Sequence, residues 1–250
     1  MSAITSDSTA APRRSRGRAL AISIAMFVLY LVLLGSMTRL AAPWVKGLAA
    51  PEGAPLLWWR VDKNVALVGL ADLIAAIVPV FVYLRLSGRR LADLGFNKSG
   101  TGLAWLLVVA VQAGLIYFDV RGGAVGRAPG ALGPYALLAS AIVGPCAAFA
   151  EETFFRGFLM DTLERGGFGA ASQIAISALL FGAAHFGYVT HFSLTELSIP
   201  IFTGLLGAFW SFIYVLGRRS LWPTIVAHIV NDAVLIPSVF YLLVVQLGHR

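Results

Sequence analysis

Ala148-Phe149-Ala150-Glu151-Glu152-Thr153-Phe154-Phe155-Arg156-Gly157-Phe158 sets two adjacent carboxylates and an arginine inside an apolar stretch with the length of a membrane helix. Charges are rare at that depth, because a charge taken out of water without a partner is costly, so each one needs a reason. On a helix Glu152 and Arg156 stand at i and i+4, close to one face, and can pair, whereas Glu151 points about 100° away from Glu152. One acid therefore has a local partner. The other is free for general acid or base work, or for a partner on another helix.

The rest of the chain has the composition of a membrane protein. Of 250 residues, 58% are hydrophobic and only 12% charged, and apolar runs of roughly twenty residues recur along the sequence. The runs are continuous in Leu, Val, Ala and Ile with no period of two, which argues against a β-barrel. The expectation is an all-α, polytopic transmembrane bundle of about seven spans, near 19–37, 65–84, 102–118, 134–160, 174–190, 198–216 and 223–246. Residues 1–18 read as a flexible cytoplasmic tail, 19–133 as N-terminal transmembrane helices and 134–246 as the unit that carries the chemistry. Prolines and tryptophans over 38–64, Trp58 and Trp59 among them, suit an interfacial loop or a half-buried segment with an aromatic belt. The single cysteine, Cys146, excludes an internal disulfide and a cysteine-based metal cluster.

The net charge of +7 is topology information and gives no reason to expect nucleic acid, because the arginines cluster beside apolar spans. Arg13, Arg14, Arg16, Arg18, Arg85, Arg89, Arg90, Lys98, Arg165, Arg218 and Arg219 fall on one side, against Arg39, Lys46, Arg60, Lys63, Arg121, Arg127 and Arg250 on the other. This bias predicts a cytoplasmic N-terminus.

Besides the opening stretch, the ionisable residues inside apolar runs are Asp72, His185, His228 and Asp232. In Phe181-Gly-Ala-Ala-His185, phenylalanine and histidine share a face, and the small residues between them let another helix approach closely. In His228-Ile-Val-Asn231-Asp232, the histidine and the aspartate again share a face, with Asn231 beside them. The turn at Gly166-Gly167-Phe168-Gly169 makes a hairpin that brings Glu152 and His185 to one level. Counting residues from the inner edges then puts Glu152, His185 and His228 at roughly 10 to 17 Å depth, in a layer reached from the cytoplasmic side. Asp72 reads as a satisfied structural residue.

The three motifs, Glu151-Glu152-x-x-x-Arg156, Phe181-x-x-x-His185 and His228-x-x-x-Asp232, resemble those of the CPBP family, the type II CAAX prenyl endopeptidases and bacterial ABI-type intramembrane proteases. The resemblance covers about 134–246 and implies an endopeptidase embedded in the membrane. It implies that Glu151 and His185 activate the attacking water, that Glu152 and Arg156 hold the site in shape, and that His228 and Asp232 stabilise the oxyanion or bind metal, the acid at 232 favouring the orientation of His228 or metal ligation over oxyanion donation. Members are often called metalloproteases. A divalent ion such as zinc, if bound, would fall to Glu151, His185 and His228, although the His-Glu-x-x-His helix of many zinc proteases is absent. The partners implied are a peptide or protein substrate at the membrane and the lipid bilayer, in a plasma membrane of the bacterial kind. A competing reading is a proton-coupled transporter in which Asp72, Glu151, His185, His228 and Asp232 form a relay. It predicts inverted repeats, and the sequence shows none.

Overall fold

The computed structural model describes residues 15–49, 56–122, 134–188, 192 and 194–233, and every regular element among them is helical. The tail up to residue 14 and residues 234–246 of the expected last span lie outside the described residues, as do the side chains of Trp58 and Trp59. Helix α1 is Arg16–Gly47 and α2 is Leu56–Leu86. After a short 3-10 turn at Leu91–Leu94 come α3, Gly102–Gly122, and α4, Pro134–Glu151. A π-helical segment, Glu152–Leu159, leads from α4 into α5, Met160–Arg165. Helix α6 is Ala170–Ala184, followed by a 3-10 turn at His185–Tyr188. Helix α7 is Leu194–Leu216, and α8 covers 222–233.

Four of these helices are long and apolar enough to cross a membrane, Arg16–Gly47, Ala66–Leu86, Ala170–Gly187 and Leu197–Leu216, and Gly102–Phe118 is a shorter apolar helix. The expected interfacial loop over 38–64 is mostly helix. Helix α1 runs on to Gly47 through Pro43, and α2 already begins at Leu56.

The opening stretch packs at the centre of the bundle. All eight residues of the π segment are buried, including Glu152 and Arg156. Phe154, Phe155 and Phe158 meet Phe27 and Tyr30 of α1 and Ala75, Ala76, Val80 and Leu84 of α2 in one apolar core. A π turn replaces the i→i+4 ladder by i→i+5 bonds and is uncommon outside functional sites. Helices α6 and α7 form the tightest pair. A Cβ on Gly182 would stand 2.7 Å from Pro200 O and 3.2 Å from Gly204 Cα, so the small residues between Phe181 and His185 do admit a neighbouring backbone.

Basic side chains from distant parts of the chain gather at one end of the bundle. Arg16 Nη2 donates to Gly167 O at 3.1 Å, Arg89 pairs with Asp161 at 2.7 Å, and Arg219 pairs with Glu164 at 3.0 Å. Arg218 and Arg219 take left-handed backbone angles, φ 55° and 62°, to turn α7 into α8. Arg219 is anchored there by Gln173 Oε1 at 2.6 Å as well, which offsets the strain of that turn. The start of α1, the loop after α2, the α5–α6 turn and the α7–α8 turn thus share one level, called here the arginine end.

Candidate active site

Glu152 is fully buried, and its Oε1 accepts two hydrogen bonds of 2.9 Å, from Arg156 Nη1 and from His228 Nδ1. A carboxylate paired with a guanidinium only accepts, so Nδ1 is the donor and carries the proton of the imidazole. His228 then presents Nε2 to two further acids, Glu151 Oε2 at 3.7 Å and Asp232 Oδ1 at 3.6 Å. The helical spacing read in both motifs delivers these contacts. Residues 152 and 156, and 228 and 232, each meet one turn apart.

The surroundings hold this cluster rigid. Arg156 Nη2 donates to Gly207 O at 3.0 Å, and the guanidinium lies 4.6 Å from the centre of the Phe181 ring. Phe181 also meets Phe155 at 5.0 Å, His185 at 5.0 Å and His228 at 6.0 Å between ring centres. Trp210 stacks on the far face of His228, 6.5 Å away and tilted by 26°. Gly207 has no side chain because a Cβ there would stand 2.9 Å from Phe181 Cδ1. Neither Gly207 nor Trp210 was recognisable in the sequence. They lie in the unbroken apolar run of α7, where nothing distinguishes a site residue from a lipid-facing one.

His185 sits at the C-terminal end of α6, and its Nδ1 is 2.8 Å from Phe181 O. A carbonyl accepts, so Nδ1 is again the donor. The histidine that touches the glutamate pair is His228 from α8. His185 instead joins Glu151 as part of the wall of a cavity of about 600 Å³. Asp72 of α2 lines the same cavity, only 4% exposed, and its Oδ1 accepts a 2.6 Å hydrogen bond from Tyr30 OH. Its partner on α1 was not visible in the sequence, since forty-two residues separate the two. Asn231, buried, stands one position before Asp232 on α8.

The lining of this cavity runs along three helices. From Tyr30 and Asp72, 2% and 4% exposed, the lining passes along α1 through Leu34 and Gly35 to Thr38, and along α2 to Val68, 37% exposed. Past His185 it reaches Phe186, 50% exposed, and Gly187. All three walls lead away from the arginine end. Towards the arginine end the core residues Phe27, Phe154, Phe155, Phe158, Leu159 and Leu163 are all buried. Residue counting from helix edges gave depth but not this asymmetry, because which half is filled depends on aromatic side chains from three helices meeting in space.

Among the described residues, no three of His, Cys, Asp and Glu are placed to share a metal ion. The ring nitrogens of His228 illustrate the reason, with Nδ1 bonded to Glu152 and Nε2 between two carboxylates at more than 3.5 Å. The set Glu151, His185 and His228 is not gathered around one point, and no step below is routed through a metal.

A membrane-embedded helix bundle with acids and histidines converging beside a cavity has the makings of a hydrolase site. Residues 133–234 match the family model described as type II CAAX prenyl endopeptidase Rce1-like, a segment that includes all three motifs. By this match the segment is similar to the type II CAAX prenyl endopeptidases, and the long apolar helices around it support an integral membrane protein. No curated protein and no solved structure matches the chain.

Proposed function

We propose that the chain is an intramembrane endopeptidase that hydrolyses peptide bonds of membrane-associated substrates, CAAX-like proteins or peptide precursors, with water activated by Glu151 and His185. The observation that carries this reading is the placement of Glu151. It stands on the cavity wall with His185, while its neighbour Glu152 is locked behind it by Arg156 and His228. A base must reach water, and a structural acid must not.

In this mechanism Glu151 takes a proton from water as the oxygen attacks the scissile carbonyl carbon. The carbonyl π electrons move onto oxygen, and the Asn231 side-chain amide on α8 supplies the donor that stabilises the oxyanion. Collapse re-forms the carbonyl, breaks the C–N bond and passes the proton to the leaving amine. His185, on the same cavity wall, orients the water or the amine. Asp232 keeps His228 in place, and Glu152 with Arg156 ties α8 to the π segment. The relay reading is disfavoured by the apolar floor, because a proton path must continue towards both faces. Among the described residues the stacked rings of Phe154, Phe155 and Phe158 stand between the site's acids and histidines and the arginine end, where the next buried acid is Asp161.

The test compares peptide termini in membranes of cells that make the native chain with those of cells that make Glu151→Gln. New termini that depend on Glu151, and equally on His185 when His185→Ala is used, are the expected result. Identical sets of termini, with both variants present at normal levels, would sink the reading.

A further inference from the structure

We infer that Asp72 is a substrate-binding residue, whose carboxylate accepts a hydrogen bond from the nitrogen of the scissile peptide bond as that nitrogen becomes the leaving amine. The inference rests on the endopeptidase reading. It adds a residue that lies outside all three motifs and outside the segment 133–234 that matches the family model.

An aspartate inside the long apolar helix Ala66–Leu86 is costly to bury, because its two oxygens offer about four acceptor sites that water would otherwise fill. Tyr30 OH donates to Oδ1 at 2.6 Å, while Oδ2, equally buried, takes no hydrogen bond from any described residue. A purely structural partner for Tyr30 needs neither the charge nor the second oxygen, since an asparagine would accept the same bond. The position of Asp72 on α2 sets it beside the site. Gly69, three positions earlier on the same face, lies so close to α4 that a Cβ there would collide with Val143, and Ala76, four positions later, is fully buried. Asp72 thus stands on the face of α2 that packs against α4, and α4 ends at Glu151. Asp72, Glu151 and His185 line one cavity.

The chemistry of hydrolysis supplies the donor that this oxygen lacks. After water has added to the carbonyl carbon, the scissile nitrogen takes the proton that Glu151 removed from the water and holds it together with its original hydrogen, so it is cationic for the moment before it leaves. A carboxylate accepting from a cationic nitrogen makes a charge-assisted hydrogen bond, the stronger kind, and makes it only once the nitrogen has been protonated. The C–N bond then breaks, its electron pair stays on nitrogen, and the neutral amine departs. Asp72 gains and loses no proton in this sequence. Tyr30 fixes Oδ1 and so fixes where Oδ2 stands, in a cavity whose other walls, Leu31, Leu34, Val68 and Phe186, give a polar nitrogen nothing to bond. The substrate class is accordingly a peptide whose scissile nitrogen carries a hydrogen.

The experiment uses the purified full chain and two synthetic peptides spanning a bond whose cleavage depends on Glu151 in the comparison of termini. One peptide keeps the scissile amide, and in the other an ester oxygen replaces the scissile N–H. Asp72→Asn keeps an acceptor for Tyr30 but removes the charge, so its melting temperature should stay near that of the native chain. The expected result is that the ratio of amide to ester cleavage falls by about 10- to 100-fold in Asp72→Asn, with the loss in kcat, and is restored in part by Asp72→Glu. Asp72→Ser, smaller than the native side chain, replaces Asp72→Asn if the latter does not accumulate, with the same selective loss expected. An unchanged ratio overturns the inference, whether both rates fall together or neither falls. In that case the Glu151-dependent cleavage still stands. A set of termini that does not depend on Glu151, or a native chain that cuts neither peptide, overturns the endopeptidase reading and this inference with it.

Discussion

Glu152 Oε1 stands 2.9 Å from His228 Nδ1 and equally 2.9 Å from Arg156 Nη1, so a single carboxylate oxygen joins the π segment to a helix seventy-six residues later. Through this one atom the first and third motifs become parts of one object. The second motif joins through Phe181, whose ring touches both Arg156 and His228.

Removal of Glu152 should therefore damage stability and chemistry separately. Glu152→Ala leaves Arg156 buried without its carboxylate, a change that costs about 3–5 kcal/mol for a desolvated pair. A thermal-shift measurement on the purified protein should show a large loss, recovered in part by adding Arg156→Met. Cleavage should stay low in the double variant, because His228 has still lost its acceptor. Full recovery of turnover there would show that Glu152 matters only as a partner of Arg156.

Glu151→Gln should behave in the opposite way. Its closest charged neighbour is His228 Nε2 at 3.7 Å, beyond hydrogen-bond range, so little packing depends on it. The expected outcome is an unchanged melting temperature with turnover reduced by about 10²- to 10⁴-fold, the usual contribution of a general base. Equal losses of stability and activity would assign Glu151 to the framework.

Gly207→Ala tests whether Phe181 must keep its position. The new Cβ would meet Phe181 Cδ1 at 2.9 Å and Cβ at 3.1 Å, pushing the ring towards Arg156 and His228. Overpacking of this kind costs about 1–3 kcal/mol. Gly114→Ala, where a Cβ meets nothing within 4 Å, is the control and should be neutral or mildly stabilising. If both variants melt and cleave alike, Phe181 has room to move and is not the shared floor of the site.

The Tyr30 and Asp72 contact predicts a dependence on the N-terminal helices. Tyr30→Phe leaves Asp72 Oδ1 without the 2.6 Å bond it now accepts, while Oδ2 already has no hydrogen-bond partner among the described residues. A buried acceptor so deprived costs about 1–3 kcal/mol. Tyr30→Phe should lower the melting temperature more than Leu40→Ala, a substitution on an exposed part of the same helix. Equal melting temperatures for the two would mean that water replaces the tyrosine hydroxyl.

What the sequence determined by itself is whatever depends on spacing along one helix. Apolar runs too long for a soluble fold require a helical bundle, since backbone polar groups in lipid must be satisfied within the segment. The i, i+4 spacing puts Arg156 beside Glu152 and Asp232 beside His228, and small residues after Phe181 admit α7. Tertiary structure decided everything that requires two helices to choose a face. That His228 is the histidine reaching the glutamates, that Asp72 finds Tyr30, and that Gly207 and Trp210 close the pocket all follow from rotations and crossings that no local pattern encodes. The position of the cavity belongs to the same group. Depth is counted along one helix, but a cavity is the place where several helices fail to fill space, and here the aromatic rings of α1 and the π segment pack the arginine side while the cavity lies among α1, α2 and the end of α6.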